Sequence, residues 1–176
     1  MPANATGQVT APAAGTYRID PERTTITLAS RHMFGTGRVA ATFALREATL
    51  TVGEPATAST LHAVIDAASF ASSNSTRDSH VQQPKFLHVS EFPDIVVDAQ
   101  SAAQAGGTWV APATITARGV TAPATITLEA AEATGTGELT LRGSVRVDRY
   151  AHGMTKAKGL AGRWMDLTIT ATGTRI

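Results

Sequence analysis

The segment NSTRDSHVQQPKFLHVSEFPDIVVD, residues 74–98, breaks the pattern of the chain around it. The flanking segments alternate apolar and polar residues, which is typical of half-buried strands. This segment instead mixes charged and apolar residues without period two. Asn74 or Ser75 can accept hydrogen bonds from free N–H groups at a helix start, and Pro84 suits the first turn of a second short helix. We therefore predict a short helical insertion, about residues 75–91, within an otherwise all-β protein.

Eight segments outside this insertion alternate with period two and are predicted strands. The phase of the second segment shifts after Glu47, which predicts a bulge or a turn, and Gly106-Gly107 predicts a tight hairpin. The eight segments are residues 24–30, 38–52, 61–65, 95–99, 109–117, 125–130, 139–147 and 165–172.

Strands at this meander-like spacing fit either an antiparallel barrel or a sandwich, and alternation alone favours the barrel only slightly. Eight strands close a barrel that side chains can fill or that can hold one small apolar ligand. The residues on one face are modest in size, with many alanines, and small inward side chains leave space. This composition is a weak indication of a cavity.

The composition excludes several classes of protein. The chain has 176 residues, 15 basic and 14 acidic, for a formal net charge of +1, which fits one domain with a real core. It lacks the dense basic runs that nucleic-acid binding requires. It contains no cysteine, which rules out disulfides, thiol nucleophiles and cysteine-ligated zinc.

The first residues differ from the rest in composition. Residues 1–14 are rich in Ala, Thr, Gly and Pro and offer little to bury, so we predict a disordered segment followed by one barrel domain over residues 15–176. No secretory signal pattern is visible, and no apolar run approaches the ~20 residues that span a bilayer. We expect a cytoplasmic protein without a transmembrane segment.

Several motifs fall in the order and spacing of a known family. They are Asp20 with Arg23-Thr24 and His32, Ile65-Asp66 with Ser69, Ser72 and Asn74, Arg77-Asp78-Ser79-His80-Val81, Phe86, Phe92-Pro93-Asp94-Ile95, Gly119-Val120-Thr121-Ala122-Pro123, and Arg149 with Gly153-Met154. Over residues 17–172 the chain thereby resembles the YceI-like family, lipocalin-like barrels described as polyisoprenoid-binding. The resemblance implies an antiparallel eight-stranded lipocalin-like barrel, an apolar ligand and a possible homodimer. The chain departs from the family pattern at Ala41, Leu87, His88 and His152.

The polar cluster of the insertion has two possible roles. Arg77, Asp78 and His80, together with Arg149, either hold a ligand head group at the barrel mouth or anchor the insertion to the barrel. The guanidinium is a rigid fork of donors suited to a pyrophosphate or a carbonyl. Both roles stay open from the sequence.

Neither a metal site nor a catalytic centre is predicted. The five histidines lack the one-face spacing of helical zinc sites, and there is no Gly-x-Ser-x-Gly elbow. Trp109 and Trp164 are expected to cap the core, with membrane docking as the alternative. We expect no cofactor other than a bound isoprenoid or lipid.

The sequence favours a non-catalytic carrier that holds a long apolar ligand, such as a polyisoprenoid or an isoprenoid quinone, inside the barrel. A barrel with a filled core and no ligand is the first alternative, and an enzyme with a histidine-rich mouth is the second. The predicted ligand-binding residues are Ile26, Leu28, Phe43, Leu45, Ile65, Phe86, Phe92, Ile115, Ile126, Leu128, Leu139, Leu141, Leu167 and Ile169.

Overall fold

The computed structural model describes residues 8–32, 37–134, 136–158 and 161–176. Within these residues, none of the helices is long and apolar enough to cross a membrane. Three short 3-10 helices cover Pro21–Arg23, Ala56–Ala58 and Arg149–His152, and one α-helix, α1, covers Ser75–Val81. The strands are β1 (Gly15–Ile19), β2 (Thr25–His32), β3 (Gly37–Val52), β4 (Thr60–Ala71), β5 (Asp94–Gln100), β6 (Ala103–Ala105), β7 (Thr108–Ala117), β8 (Val120–Ala133), β9 (Glu138–Asp148) and β10 (Trp164–Arg175).

The strands close into an antiparallel barrel of eight positions, which confirms the predicted fold class. β1 and β2 share one position, because both lie between β3 and β10. β5 and β6 likewise both pair with β7. The pairing of β10 with both β2 and β9 closes the ring. The sandwich alternative is thereby excluded.

A bulge in β3 explains the phase shift seen in the sequence. Leu45 pairs with Ile65, but Glu47 pairs with Val64, so Arg46 is an extra residue in β3. Before the bulge Leu45 is buried, and after it Ala48 is the next buried residue. The bulge turns the apolar side chains after Arg46 back toward the inside of the barrel. Both halves of this long strand therefore contribute to one interior.

The helical insertion is shorter than predicted. The side chain of Asn74 caps α1 by accepting from the backbone N–H of Arg77 at 3.0 Å. Residues 82–92 then form turns instead of the predicted second helix. The backbone at His88 has a φ of 52°, a left-handed conformation that ends a right-handed helical path.

The β7–β8 hairpin supports the end of the insertion. Arg118 and Gly119 both have positive φ, 53° and 72°, as the two central residues of a type I′ turn require. The ring of Phe92 covers this turn so closely that a Cβ on Gly119 would lie 2.7 Å from it. The insertion therefore packs against the hairpin through Phe92.

Residues 8–14, the described part of the predicted N-terminal segment, contact the barrel. The backbone N–H of Val9 donates to the carbonyl of Gly107 at 2.8 Å, and the indole Nε1 of Trp109 donates to the carbonyl of Val9 at 2.9 Å. Val9 is also buried. The composition of the segment is poor in apolar side chains, but its backbone carbonyls and amides find partners on the barrel. Residues 1–7 of that prediction lie outside the described residues.

Candidate ligand-binding cavity

The interior of the barrel encloses a cavity of about 320 Å³. This volume is at the lower end of the ~300–1,000 Å³ of small-molecule sites. Its wall is apolar because the inward residues of each strand are apolar. Six of the wall residues that lie in strands are alanines, whose small side chains leave the space open: Ala48, Ala63, Ala99, Ala111, Ala117 and Ala171.

The end of the cavity beside the helical insertion is closed. Leu87 from the insertion and Met154 from the loop after β9 are both buried there and line the wall. Arg149 and His152 line the same end and are 4% and 2% exposed. This end therefore presents two apolar and two polar side chains, all shielded from solvent.

Arg149 holds the loop after β9 in place. Its Nε donates to the carbonyl of Gly162 at 2.6 Å, and Nη2 donates to that of Ala161 at 2.9 Å. Its Nη1 donates to the carbonyls of Met154 and Lys156 at 2.6 and 2.8 Å. Four of the five guanidinium N–H donors are thus directed at backbone carbonyls of the described loop.

The environment of Arg149 is desolvated but polar. Burial lowers the pKa of its guanidinium, and the neighbouring Tyr150 and Asp148 act in the opposite direction. Four carbonyl oxygens around the cation replace the water that burial removes. The contacts of Arg149 fit an anchoring role, but the element that Arg149 anchors is the loop after β9 and not the insertion.

His152 links the 3-10 helix Arg149–His152 to β7. Its Nε2 lies 2.9 Å from the carbonyl oxygen of Ile115 in β7, and its Nδ1 lies 3.2 Å from that of Asp148. A neutral imidazole donates from one nitrogen only, and the shorter contact is the one to Ile115. The sequence marked His152 only as a departure from the family pattern.

Three residues of the predicted polar cluster, Arg77, Asp78 and His80, lie outside the cavity wall. The carboxylate of Asp78 accepts from the backbone N–H of Ser72 at 3.0 Å and also from its hydroxyl. Arg77 Nη1 donates to the same hydroxyl at 3.3 Å, while His80 is exposed. These contacts connect α1 to the end of β4, so they fit the anchoring role.

Most of the predicted apolar residues do line the cavity, and their contact with a ligand stays a prediction. Eleven of the fourteen are in the wall: Ile26, Leu28, Phe43, Leu45, Ile65, Ile115, Ile126, Leu128, Leu141, Leu167 and Ile169.

The other three, Phe86, Phe92 and Leu139, lie elsewhere. Phe86 is half-buried against the core, with its ring 5.9 Å from the Arg149 guanidinium. Phe92 packs on the β7–β8 turn. Leu139 is buried with Tyr17 and Val52 at the far end of the barrel. Leu139 faces the same side of its strand as the wall residue Leu141, and Phe86 and Phe92 belong to the same segment as the wall residue Leu87. All three lie at a different level along the barrel from the cavity wall.

Five half-buried residues line the cavity at the end opposite the insertion, and we interpret this end as its mouth. These five are only half-buried, whereas Leu87, Arg149, His152 and Met154 at the closed end are buried. The five half-buried residues come from three separate parts of the chain: Ala11, Pro12, Ala56, Ser59 and Trp109. Alternation could not indicate Ala11 and Pro12, because they belong to no strand.

The outer surface offers little alternative chemistry. His62 Nδ1 lies 2.6 Å from the carboxylate of Asp98, but both side chains are more than half exposed. Among the residues that the structure describes, no three His, Asp or Glu side chains are grouped as a metal ion would need.

The chain resembles known proteins both in sequence and in structure. The family model described as YceI-like domain matches residues 17–173, while no curated protein matches the chain. BcnA from Burkholderia cenocepacia has a TM-score of 0.76 and 16% identity, over 89% of this chain and 99% of that one.

Two further structures share the fold. A polyisoprenoid-binding domain from Saccharophagus degradans, implicated in plant cell wall breakdown, has a TM-score of 0.69 and 10% identity, over 93% of this chain and 100% of that one. The Campylobacter jejuni YCEI protein has a TM-score of 0.59 and 20% identity, over 75% of this chain and 83% of that one. Identities this low show a common fold alone, but the sequence match spans most of the chain. The chain belongs to the YceI-like family.

Proposed function

We propose that the protein binds an apolar, chain-like lipid of the isoprenoid type inside its barrel and carries it without altering it. The observation that carries this proposal is the apolar cavity of about 320 Å³ that runs between the two ends of the barrel. The polyisoprenoid-binding domain among the structural neighbours supports the same class of ligand.

Burial of apolar surface is the driving force that this cavity supplies. Removing a hydrocarbon chain from water contributes about 25 cal/mol per Å², and ordering its torsions offsets a large part of that gain. A ligand with a flexible apolar body therefore binds in proportion to the length that the cavity can enclose.

The position of the mouth indicates where a polar head group would lie. Ser59 stands at the mouth, but its hydroxyl already donates to the carbonyl of Ala56 at 2.6 Å and accepts from the N–H of Gly53 at 3.0 Å. The head group is therefore solvated by water rather than bound by Ser59, and the protein selects its ligand mainly by the apolar body.

The cavity favours this function over a barrel with a filled core. In a filled core, large inward residues would occupy the space that Ala48 and Ala63 leave open where they face each other across β3 and β4. No catalytic role is proposed for the histidines, since His80 is exposed and His152 contacts backbone carbonyls.

Two measurements test the proposed function. Native mass spectrometry of the purified protein, followed by organic extraction, should detect a bound lipid. Titration of delipidated protein with geraniol, farnesol and geranylgeraniol should show affinity rising with chain length until the cavity is full. Affinity that does not change with chain length, together with no extractable lipid, would contradict the proposal and favour the filled barrel.

A further inference from the structure

Residues 8–14, here called the entrance segment, lie across the mouth of the cavity without joining the sheet. Val9 sits on the β6–β7 hairpin through its two backbone hydrogen bonds, to the carbonyl of Gly107 and from the indole of Trp109. Ala11 and Pro12 then form part of the cavity wall. The segment therefore closes off space that would otherwise open to solvent.

The attachment of the entrance segment is strongest at its two ends. At one end the side chain of Val9 is 7% exposed. At the other end the carbonyls of Ala13 and Ala14 accept from the Tyr17 hydroxyl at 2.8 Å and from Arg175 Nη2 at 2.6 Å. Releasing Val9 would thus free residues 8–12 while Ala13 and Ala14 stay in place as a hinge.

The opposite end of the barrel is far harder to open. There the loop after β9 is fixed by the four hydrogen bonds of the buried Arg149, and Leu87 and Met154 are buried against the core. The free energy needed to release one apolar side chain and two hydrogen bonds is much smaller than that needed to release this loop.

We propose that the entrance segment is a lid through which the ligand enters and leaves, and that the closed lid limits the length of chain that the cavity accepts. This inference rests on the proposed function and specifies its regulation. A cavity at the lower end of the usual size range holds a short chain completely. A longer chain must extend through the mouth, where Ala11 and Pro12 stand in its way.

A pair of charge substitutions tests the lid. Val9→Asp places a charge at a buried site, which the segment can avoid only by undocking. Thr10→Asp adds the same charge to the exposed neighbouring residue and is the matched control. A deletion of residues 1–12, which keeps the hinge carbonyls, and Trp109→Phe, which removes the indole donor, provide independent ways to release Val9.

The exchange rate is measured by stopped-flow displacement of the fluorescent probe N-phenyl-1-naphthylamine with excess farnesol. Val9→Asp and the deletion should release the probe about tenfold faster or more, as expected from losing two hydrogen bonds and one apolar contact. Thr10→Asp should release it at the wild-type rate. The two lid variants should also bind geranylgeraniol better relative to geraniol than the wild type does.

Three results would decide against the lid. Unchanged release rates in Val9→Asp and in the deletion, with the probe still bound, would overturn the lid but leave the carrier function intact. Equal acceleration by Thr10→Asp would show a charge effect rather than undocking. Failure of every variant and of the wild type to bind the probe would reject the proposed function, and the lid as a control of exchange with it. Hydrogen exchange at the Val9 amide, followed by NMR, shows directly whether each variant undocks the segment.

Discussion

The carboxylate of Asp78 accepts hydrogen bonds from both the backbone N–H and the hydroxyl of Ser72. This contact joins α1 to the first residue after β4, and Ser72 itself is buried. One side chain therefore fixes the angle at which the insertion leaves the barrel.

Replacement of Asp78 should destabilise the fold without changing the residues that line the cavity. Asp78→Ala leaves a buried amide and hydroxyl without their acceptor, which costs about 1–3 kcal/mol of unfolding free energy. Urea denaturation measures the loss. Asp94→Ala is the control, because its ion pair with Arg46 joins two half-exposed side chains and such pairs contribute about 0–1 kcal/mol. Equal losses in the two variants would contradict the anchoring role.

A larger side chain at Ala63 should weaken ligand binding while the barrel stays folded. Ala63→Leu fills part of the cavity and displaces methylene groups of the ligand, each worth ~0.8 kcal/mol, so affinity should fall about tenfold. Ala29→Leu adds the same atoms to the exposed face of β2 and should bind farnesol as the wild type does. If Ala63→Leu binds farnesol with unchanged affinity, the ligand does not occupy this cavity.

Arg149 should be among the residues on which stability depends most. Arg149→Ala leaves four carbonyl groups of the described loop without their donor, and the cost should reach about 3 kcal/mol or more. Lysine at this position restores the charge but not the planar set of guanidinium donors. Arg149→Lys should therefore recover only part of the stability that Arg149→Ala loses. Thermal unfolding distinguishes these variants from Arg163→Ala, which removes a half-exposed partner of Asp148 and its contacts with the rings of Tyr150 and Trp164 but no hydrogen bond to the loop carbonyls.

Acid should weaken the loop after β9 through Asp148. Its hydrogen bond from Arg163 holds the pKa of this carboxyl below the ordinary value of 3.8, and the N–H of Tyr150 contributes in the same direction. The folded state thus has the lower pKa, so the stabilisation is present above the unfolded pKa and is lost as pH falls through the folded one. Asp148→Asn should flatten the decline in melting temperature below about pH 4.

A pair of substitutions tests the packing of the insertion on the β7–β8 turn. Phe92 is half-buried, so Phe92→Ala should cost about 2 kcal/mol, less than the ~3–5 kcal/mol of a fully buried ring. Gly119→Ala places its methyl group 2.7 Å from that ring and strains a positive φ. In the Phe92→Ala background the clash is gone, so Gly119→Ala should cost less there. A double-mutant cycle with no coupling would show that the two residues do not touch.

Local features of the fold were predictable from the sequence because their causes are local. The pleat turns alternate side chains to opposite faces, so period two identified Ile26 and Leu28 as inward residues without any knowledge of their neighbours. The bulge at Arg46 was visible for the same reason, as a change in that phase. The family resemblance supplied the closed barrel that alternation alone could not separate from a sandwich.

The two ends of the cavity were decided by tertiary structure alone. Leu139 and Leu141 lie on the same face of β9, yet only Leu141 lines the cavity, because periodicity carries no information on height along the barrel. Val9 meets Trp109 across 100 residues of sequence, and His152 meets Ile115 across 37. Such contacts depend on closing the ring, which brings distant backbone carbonyls within reach of particular donors, and no pattern within a single strand specifies them.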